Sequence, residues 1–168
     1  MEIVRLGQGV DATGEFAPEA LERTRKVLTK YVDLMQQERV QDVRMVATSA
    51  TRDARNKDEF FAMTAELLGQ IRPGACAQVI TGEEEAKLSF IGAVAYLSKE
   101  QGPFCVIDLG GGSTEFVVGV AGGQLLGSYS SQMGCVRISE RIMQSDPPTP
   151  EEVEAARQYV AERLAEVQ

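Results

Sequence analysis

The chain has 168 residues, 43% of them hydrophobic, with 25 acidic against 17 basic side chains and a formal charge of −8. That suffices for one ordinary domain or two small ones, and the acidic balance speaks against broad binding of nucleic acid or an anionic membrane, which needs a basic face. The absence of histidine from the sequence excludes Ser-His-Asp and Cys-His nucleophiles and speaks against a typical zinc site, leaving carboxylates, hydroxyls, backbone amides and a hard metal ion for any hydrolytic chemistry.

In chain order, Met1-Glu2-Ile3-Val4-Arg5 lacks a signal-peptide layout. No later apolar run approaches the roughly 20 residues that span a bilayer, so a cytoplasmic protein is expected. Pro18 opens a helix over 18–39, with Leu21, Leu28, Tyr31, Val32 and Met35 at helical spacing. A short strand is expected at 42–48, where Val43, Met45 and Ala47 alternate, and an amphipathic helix at 57–71, closed by Pro73-Gly74. A strand at 77–81 leads into a helix from Gly82 to about Ser98, with Thr81 as cap and Glu84 at the capping-box position. Beyond Gly102-Pro103 come an apolar strand of buried type at 104–109, a strand at 115–120, a Gly122-Gly123 turn and a strand at 124–130. A final helix is announced by Thr149, Pro150 and Glu152 and ends near Gln168. Strands and helices alternate up to about residue 102 and hairpins dominate after it, which divides the chain into 1–102 and 103–168. The cysteines Cys76, Cys105 and Cys135 are odd in number and form no CxxC; they read as small, buried, reduced hydrophobes.

Asp108-Leu109-Gly110-Gly111-Gly112-Ser113-Thr114-Glu115 is the most informative segment. Glycines allow positive φ and close backbone approach, so successive amides can form an anion-binding concavity. No GxxxxGK[ST] or GxGxxG occurs, and the period-2 run Phe116, Val118, Val120 follows instead of a helix. A strand–glycine loop–strand unit of this kind resembles the superfamily of actin, sugar kinases and heat-shock chaperones. In such a hairpin Asp108 can hold a metal, Ser113 and Thr114 can donate to phosphate, and Glu115 can bind metal or orient water. A plain glycine-rich turn flanked by acids is the alternative.

Two companion segments bear on the same chemistry. Thr48-Ser49-Ala50-Thr51-Arg52-Asp53-Ala54-Arg55-Asn56 puts small hydroxylated residues and Arg52 at a helix start, where amides and a guanidinium suit an anion. The plain reading is a helix cap with a solvated arginine. Glu83-Glu84-Glu85 opens the next helix, where acids match the helix dipole; helix-start amides also keep a carboxylate ionised and able to orient a water.

Together these segments resemble the exopolyphosphatase / guanosine pentaphosphate phosphohydrolase family of the actin-like ATPase superfamily. That family's pattern is TSAxRxAxN, (I/V)-(S/T)-G-x-E-E-A, D-(I/L)-GGGSTE and a later M-G-C-V. It is met by Thr48–Asn56, Ile80–Ala86, Asp108–Glu115 and Met133-Gly134-Cys135-Val136. The resemblance implies an α/β, ribonuclease-H-like fold with parts of two actin-like domains, whose mixed sheets are flanked by helices. It further implies release of terminal phosphate from polyphosphate or from guanosine pentaphosphate, Mg²⁺ or another divalent cation, a part in the stringent response, and a homodimer. By position, Glu85 matches the family's catalytic base, Glu115 its second essential carboxylate and Asp108 its metal-associated acid. Ser49, Arg52, Gly110, Gly111, Gly112, Ser113 and Thr114 would bind the terminal phosphate, with Glu115 also serving the metal. The family's first loop, D-x-G-S-N-S, has no counterpart here, and the second domain stops after its first helices. The chain is thus expected to be a central part of such a protein and, by itself, inactive. A sugar or acetate kinase on the same fold would not need TSATRDARN or TGEEEA, whereas a non-catalytic polyphosphate or alarmone sensor would bind without turnover. Cys135 and Arg141 have the C-x5-R spacing of cysteine phosphatases, but Val-Arg-Ile-Ser-Glu between them has no glycine to bend into a cradle.

Overall fold

A computed structural model describes residues 1–98 and 100–167. The chain divides into two compact units, Met1–Ile80 and Thr81–Gln168.

The first unit contains α1 (Val10–Thr13), α2 (Pro18–Gln37), β1 (Met45–Ala47), α3 (Ser49–Asp53), α4 (Lys57–Leu68) and β2 (Ala77–Val79). β1 and β2 pair in parallel, Met45 opposite Ala77, and such pairing needs the long crossover that α3 and α4 provide. Pro18 sits in the first turn of α2, where its missing N–H costs nothing. Ala20, Thr24, Leu28 and Val32 follow at four-residue intervals as the buried stripe. Tyr31, at the margin of that stripe, is 40% exposed. The core gathers Phe16, Leu28, Val32, Phe60, Met63, Leu67 and Leu68, with the rings of Phe16 and Phe60 tilted 51° at 5.8 Å. Thr64, fully buried on α4, accepts from the Ala77 amide at 3.1 Å and so satisfies the first donor of β2.

The second unit contains α5 (Gly82–Val94), β3 (Phe104–Leu109), β4 (Thr114–Val120), β5 (Gln124–Ser131), α6 (Cys135–Arg141) and α7 (Pro150–Leu164). β3, β4 and β5 form an antiparallel sheet in that order. α5 presents Ala86, Phe90 and Val94 to one face of it, against Val117, Phe104, Val106 and Leu125. Gly119 admits the helix: a Cβ there would stand 2.7 Å from Phe90 Cζ. β4 and β5 slip register beside Gly119, between Val118 and Gly119. α7 begins with the expected capping box, Thr149 with Glu152.

The structure differs from expectation in several places. The compact units divide at Ile80/Thr81 rather than near Gly102, because Phe90 ties α5 to the sheet that follows it. β3 is buried on one face only: Ile107 and Leu109 are 61% and 69% exposed, since α5 covers just the Phe104, Val106 and Asp108 side. The three cysteines are free, as expected, but exposed. α5 ends at Val94 and α7 at Leu164; the residue expected to end the final helix, Gln168, lies outside the described residues.

Candidate functional site

In the second unit the register brings three polar side chains into one row. Asp108 stands opposite Glu115, and Glu115 opposite Ser130, across β3, β4 and β5. Directly paired residues project to the same face, here the face under α5, where Ser89 Oγ donates to Asp108 Oδ2. Glu115 is 1% exposed and accepts from Ser130 Oγ at 2.9 Å. The sheet face is thus apolar under Phe90 and acidic toward the loop. Glu85 is half-buried in the first turn of α5 and lies four residues before Ser89, on the same helical face. Thr81 Oγ1 caps the helix by accepting from Glu84 N at 3.1 Å.

The glycine loop closes these strands. Gly110 N donates to Ser113 O at 3.0 Å, and Ser113 and Thr114 are 3% and 1% exposed. Gly110 and Gly111 are not at positive φ, contrary to one use expected of them; what they supply is room. A Cβ at Gly110 would lie 2.8 Å from Ser113 O, and one at Gly111 3.3 Å from Val136 Cγ2. The segment after β5 packs on the loop. Thr114 Oγ1 donates to Met133 O. Cys135 N donates to Gly110 O at 3.0 Å, and Val136 N and Arg137 N donate to Gly111 O at 3.0 and 3.1 Å. Arg137 Nε donates to Gly112 O at 2.9 Å. Gly134, at an extended φ of −144°, is required by space: a Cβ would stand 2.3 Å from Gly111 O. Among the described residues, no protein acceptor takes the amides of Gly111 and Gly112.

In the first unit, Ser49 and Thr51 are buried at 8% and 2% in the short helix α3. Arg52 Nη1 donates to Ile80 O at 2.8 Å, so part of its guanidinium holds the chain end of β2. Asn56 bridges both backbone groups of Phe16, accepting from its N at 2.8 Å and donating to its O at 3.1 Å. Arg55 reaches Thr13 O at 2.8 Å and Glu15 Oε1 at 3.1 Å.

The second unit therefore assembles Glu85, Asp108, Gly110, Gly111, Gly112, Ser113, Thr114 and Glu115 around one end of its sheet, while Ser49 and Arg52 belong to the first unit. Sequence reading missed Ser89, Ser130 and Arg137. Ser89 was within reach through its four-residue spacing from Glu85; Ser130 and Arg137 depend on register and on the turn after β5, which no local pattern encodes. Asp108 and Glu115 form an all-oxygen pair that suits a hard cation such as Mg²⁺, which takes one or two carboxylates and fills its shell with phosphate oxygens and water. Among the described residues no group of three or more acids or cysteines gathers as a closed metal cage. No helix among them is long and apolar enough to cross a membrane.

Comparison with known proteins gives the chain a family. The model of the Ppx/GppA phosphatase family matches residues 1–168. Exopolyphosphatase 2 of Mycobacterium tuberculosis is 59% identical over 162 residues, which cover 96% of this chain and 50% of that protein. A crystal structure of an exopolyphosphatase-like protein superposes with a TM-score of 0.86 at 39% identity, covering 98% of this chain and 51% of the other. The Aquifex aeolicus member of the Ppx/GppA family gives 0.69 at 36% identity, with coverage of 99% and 52%. An exopolyphosphatase from Cytophaga hutchinsonii gives 0.83 at 27% identity, with coverage of 99% and 51%. The chain spans about half the length of the relatives it matches. Its fold is the actin-like α/β fold of these neighbours, with helices flanking parallel and antiparallel strands. The chain belongs to the Ppx/GppA phosphatase family.

Proposed function

We propose that this chain carries the water-activating acids and the phosphate cradle of an exopolyphosphatase, a hydrolase that releases terminal orthophosphate from inorganic polyphosphate. The observation that carries the reading is the Asp108–Glu115–Ser130 row beside a loop whose carbonyls are occupied and whose Gly111 and Gly112 amides take no protein acceptor among the described residues. The name of the Mycobacterium tuberculosis relative supports polyphosphate as the substrate.

The amides of Gly111 to Thr114 would bind the terminal phosphoryl oxygens as a concave nest of donors, while the Gly110 amide closes the loop on Ser113 O. Ser113 would add its hydroxyl; in the first unit, Ser49 and Arg52 are phosphate-binding candidates by residue type. Glu85 would hold the attacking water in line with the scissile bond and accept its proton. Ser89 and Ser130 would fix the rotamers of Asp108 and Glu115 through their hydrogen bonds. Asp108 and Glu115 would hold Mg²⁺, which supplies neutralisation of the charge that develops on phosphoryl oxygens. Phosphoryl transfer needs mainly positioning and charge stabilisation, so a site without histidine is adequate.

The test is phosphate release, with Mg²⁺, from long-chain polyphosphate and from guanosine pentaphosphate, by this chain and by the full-length protein that carries it. Faster release from polyphosphate supports the reading. Faster release from guanosine pentaphosphate moves the substrate to that nucleotide, which ends in the same phosphoanhydride. Binding of either without release by the full-length protein would replace it with a non-catalytic sensor and retire Glu85 as a base.

A further inference from the structure

We propose that Arg137 is a positioning residue that sets the direction of the Ser113 amide and so completes the phosphate cradle; the inference rests on the reading of Gly110–Thr114 as that cradle.

A planar trans peptide holds the C=O of one residue opposite the N–H of the next. Whatever draws a carbonyl to one side of the loop therefore turns the following amide to the other. Cys135 N draws Gly110 O, which turns the Gly111 amide away from α6. Val136 N and Arg137 N draw Gly111 O, which does the same for the Gly112 amide. The third carbonyl, Gly112 O, is held by a side chain instead, with Arg137 Nε at 2.9 Å. The Arg137 backbone amide is already engaged with Gly111 O, so the guanidinium extends the row by one peptide. Arg137 is itself steadied: Nη2 donates to Gln132 Oε1 at 3.3 Å, and Gln132 O accepts from Tyr159 OH at 2.8 Å, anchoring that turn to α7. Without this contact the Gly112–Ser113 peptide is the one most free to flip, since glycine on its N-terminal side offers no Cβ resistance. A flipped peptide would aim a carbonyl dipole at an incoming phosphate.

The experiment compares wild type, Arg137→Met and Arg137→Lys in the full-length protein, with Mg²⁺ and inorganic tripolyphosphate as probe. The first readout is the Ser113 amide resonance and its hydrogen-exchange rate. Arg137→Met is expected to shift the resonance and speed exchange at least tenfold, leaving the amides of α5 unchanged. The second readout is turnover. Loss of one oriented donor lowers kcat roughly 10²- to 10³-fold, with Arg137→Lys intermediate and added guanidinium partly restoring an Arg137→Ala variant, a rescue that a merely structural role would not give. A Ser113 amide unchanged in Arg137→Met overturns the inference, as does a kcat within twofold of wild type. If wild type itself releases no phosphate, the proposed activity fails while the Ser113 amide still decides the role of Arg137.

Discussion

The two segments of this chain proposed to bind phosphate are built on opposite principles. In the glycine loop of the second unit, the Arg137 side chain and helix-start amides hold the backbone carbonyls, and among the described residues no protein acceptor takes the amides of Gly111 and Gly112. In Thr48–Asn56 of the first unit, the side chains themselves are drawn into the scaffold. Asn56 holds Phe16, Arg55 holds the Thr13–Glu15 turn and Arg52 holds Ile80. Both segments look like phosphate binders as strings of small, hydroxylated and charged residues. The difference is that the proposed cradle leaves the Gly111 and Gly112 amides without an acceptor among the described residues, whereas Thr48–Asn56 commits Arg52, Arg55 and Asn56 to its own fold.

The largest effect that would sharpen this contrast is on catalysis. Glu115→Gln keeps the shape of the side chain and an oxygen for Ser130 Oγ, so unfolding should barely change. Phosphate release by the full-length protein should fall by roughly 10²- to 10⁴-fold; an unaltered rate would remove Glu115 from the site.

Next comes the seam behind the loop. Gly134→Ala places a methyl 2.3 Å from Gly111 O, and the backbone must shift to admit it. A destabilisation of about 1–3 kcal/mol is expected from such overpacking, accompanied by weaker phosphate binding. Thermal unfolding without loss would mean that the turn after β5 does not hold the loop.

The first unit should respond the other way round. Asn56→Ala strips partners from both backbone groups of the buried Phe16 and should cost about 1–3 kcal/mol in denaturant unfolding. Its kcat should stay near that of wild type. A large fall in kcat with intact stability would break the contrast and give Asn56 a direct role.

The smallest effect lies at the start of α7. Thr149→Ala removes the side-chain cap of α7 and should cost about 1 kcal/mol. Hydrogen bonding from the Thr149 backbone, followed by that from Ser145, holds the Glu152 carboxyl below its ordinary value. The stability it contributes is present above the ordinary glutamate range and is lost as pH falls through the lowered value. Melting curves taken from neutral to acid pH should therefore show a decline that Glu152→Gln lacks.

Local signals in the sequence foretold each of the longer elements. Pro18, the Thr81 cap and the Thr149–Glu152 box located helix starts because capping chemistry is local. The glycine run located the hairpin turn between β3 and β4. The compact units part at Ile80/Thr81 because Phe90 packs on strands that follow it, a long-range choice no window reveals. The cysteines were misjudged because β3 alternates and Cys105 falls on its open face. The acids of the site were legible as residue types next to glycines and caps. Their serine partners were not, since Ser130 meets Glu115 only through strand register.

The most direct measurement is an amide-resolved titration of the full-length protein with inorganic tripolyphosphate and Mg²⁺. Saturable shifts concentrated at Gly111, Gly112, Ser113 and Thr114, with Arg55 and Asn56 little changed, are the predicted result. Saturable binding that leaves those four amides unmoved would contradict the account, because the phosphate would then be held somewhere other than the glycine loop.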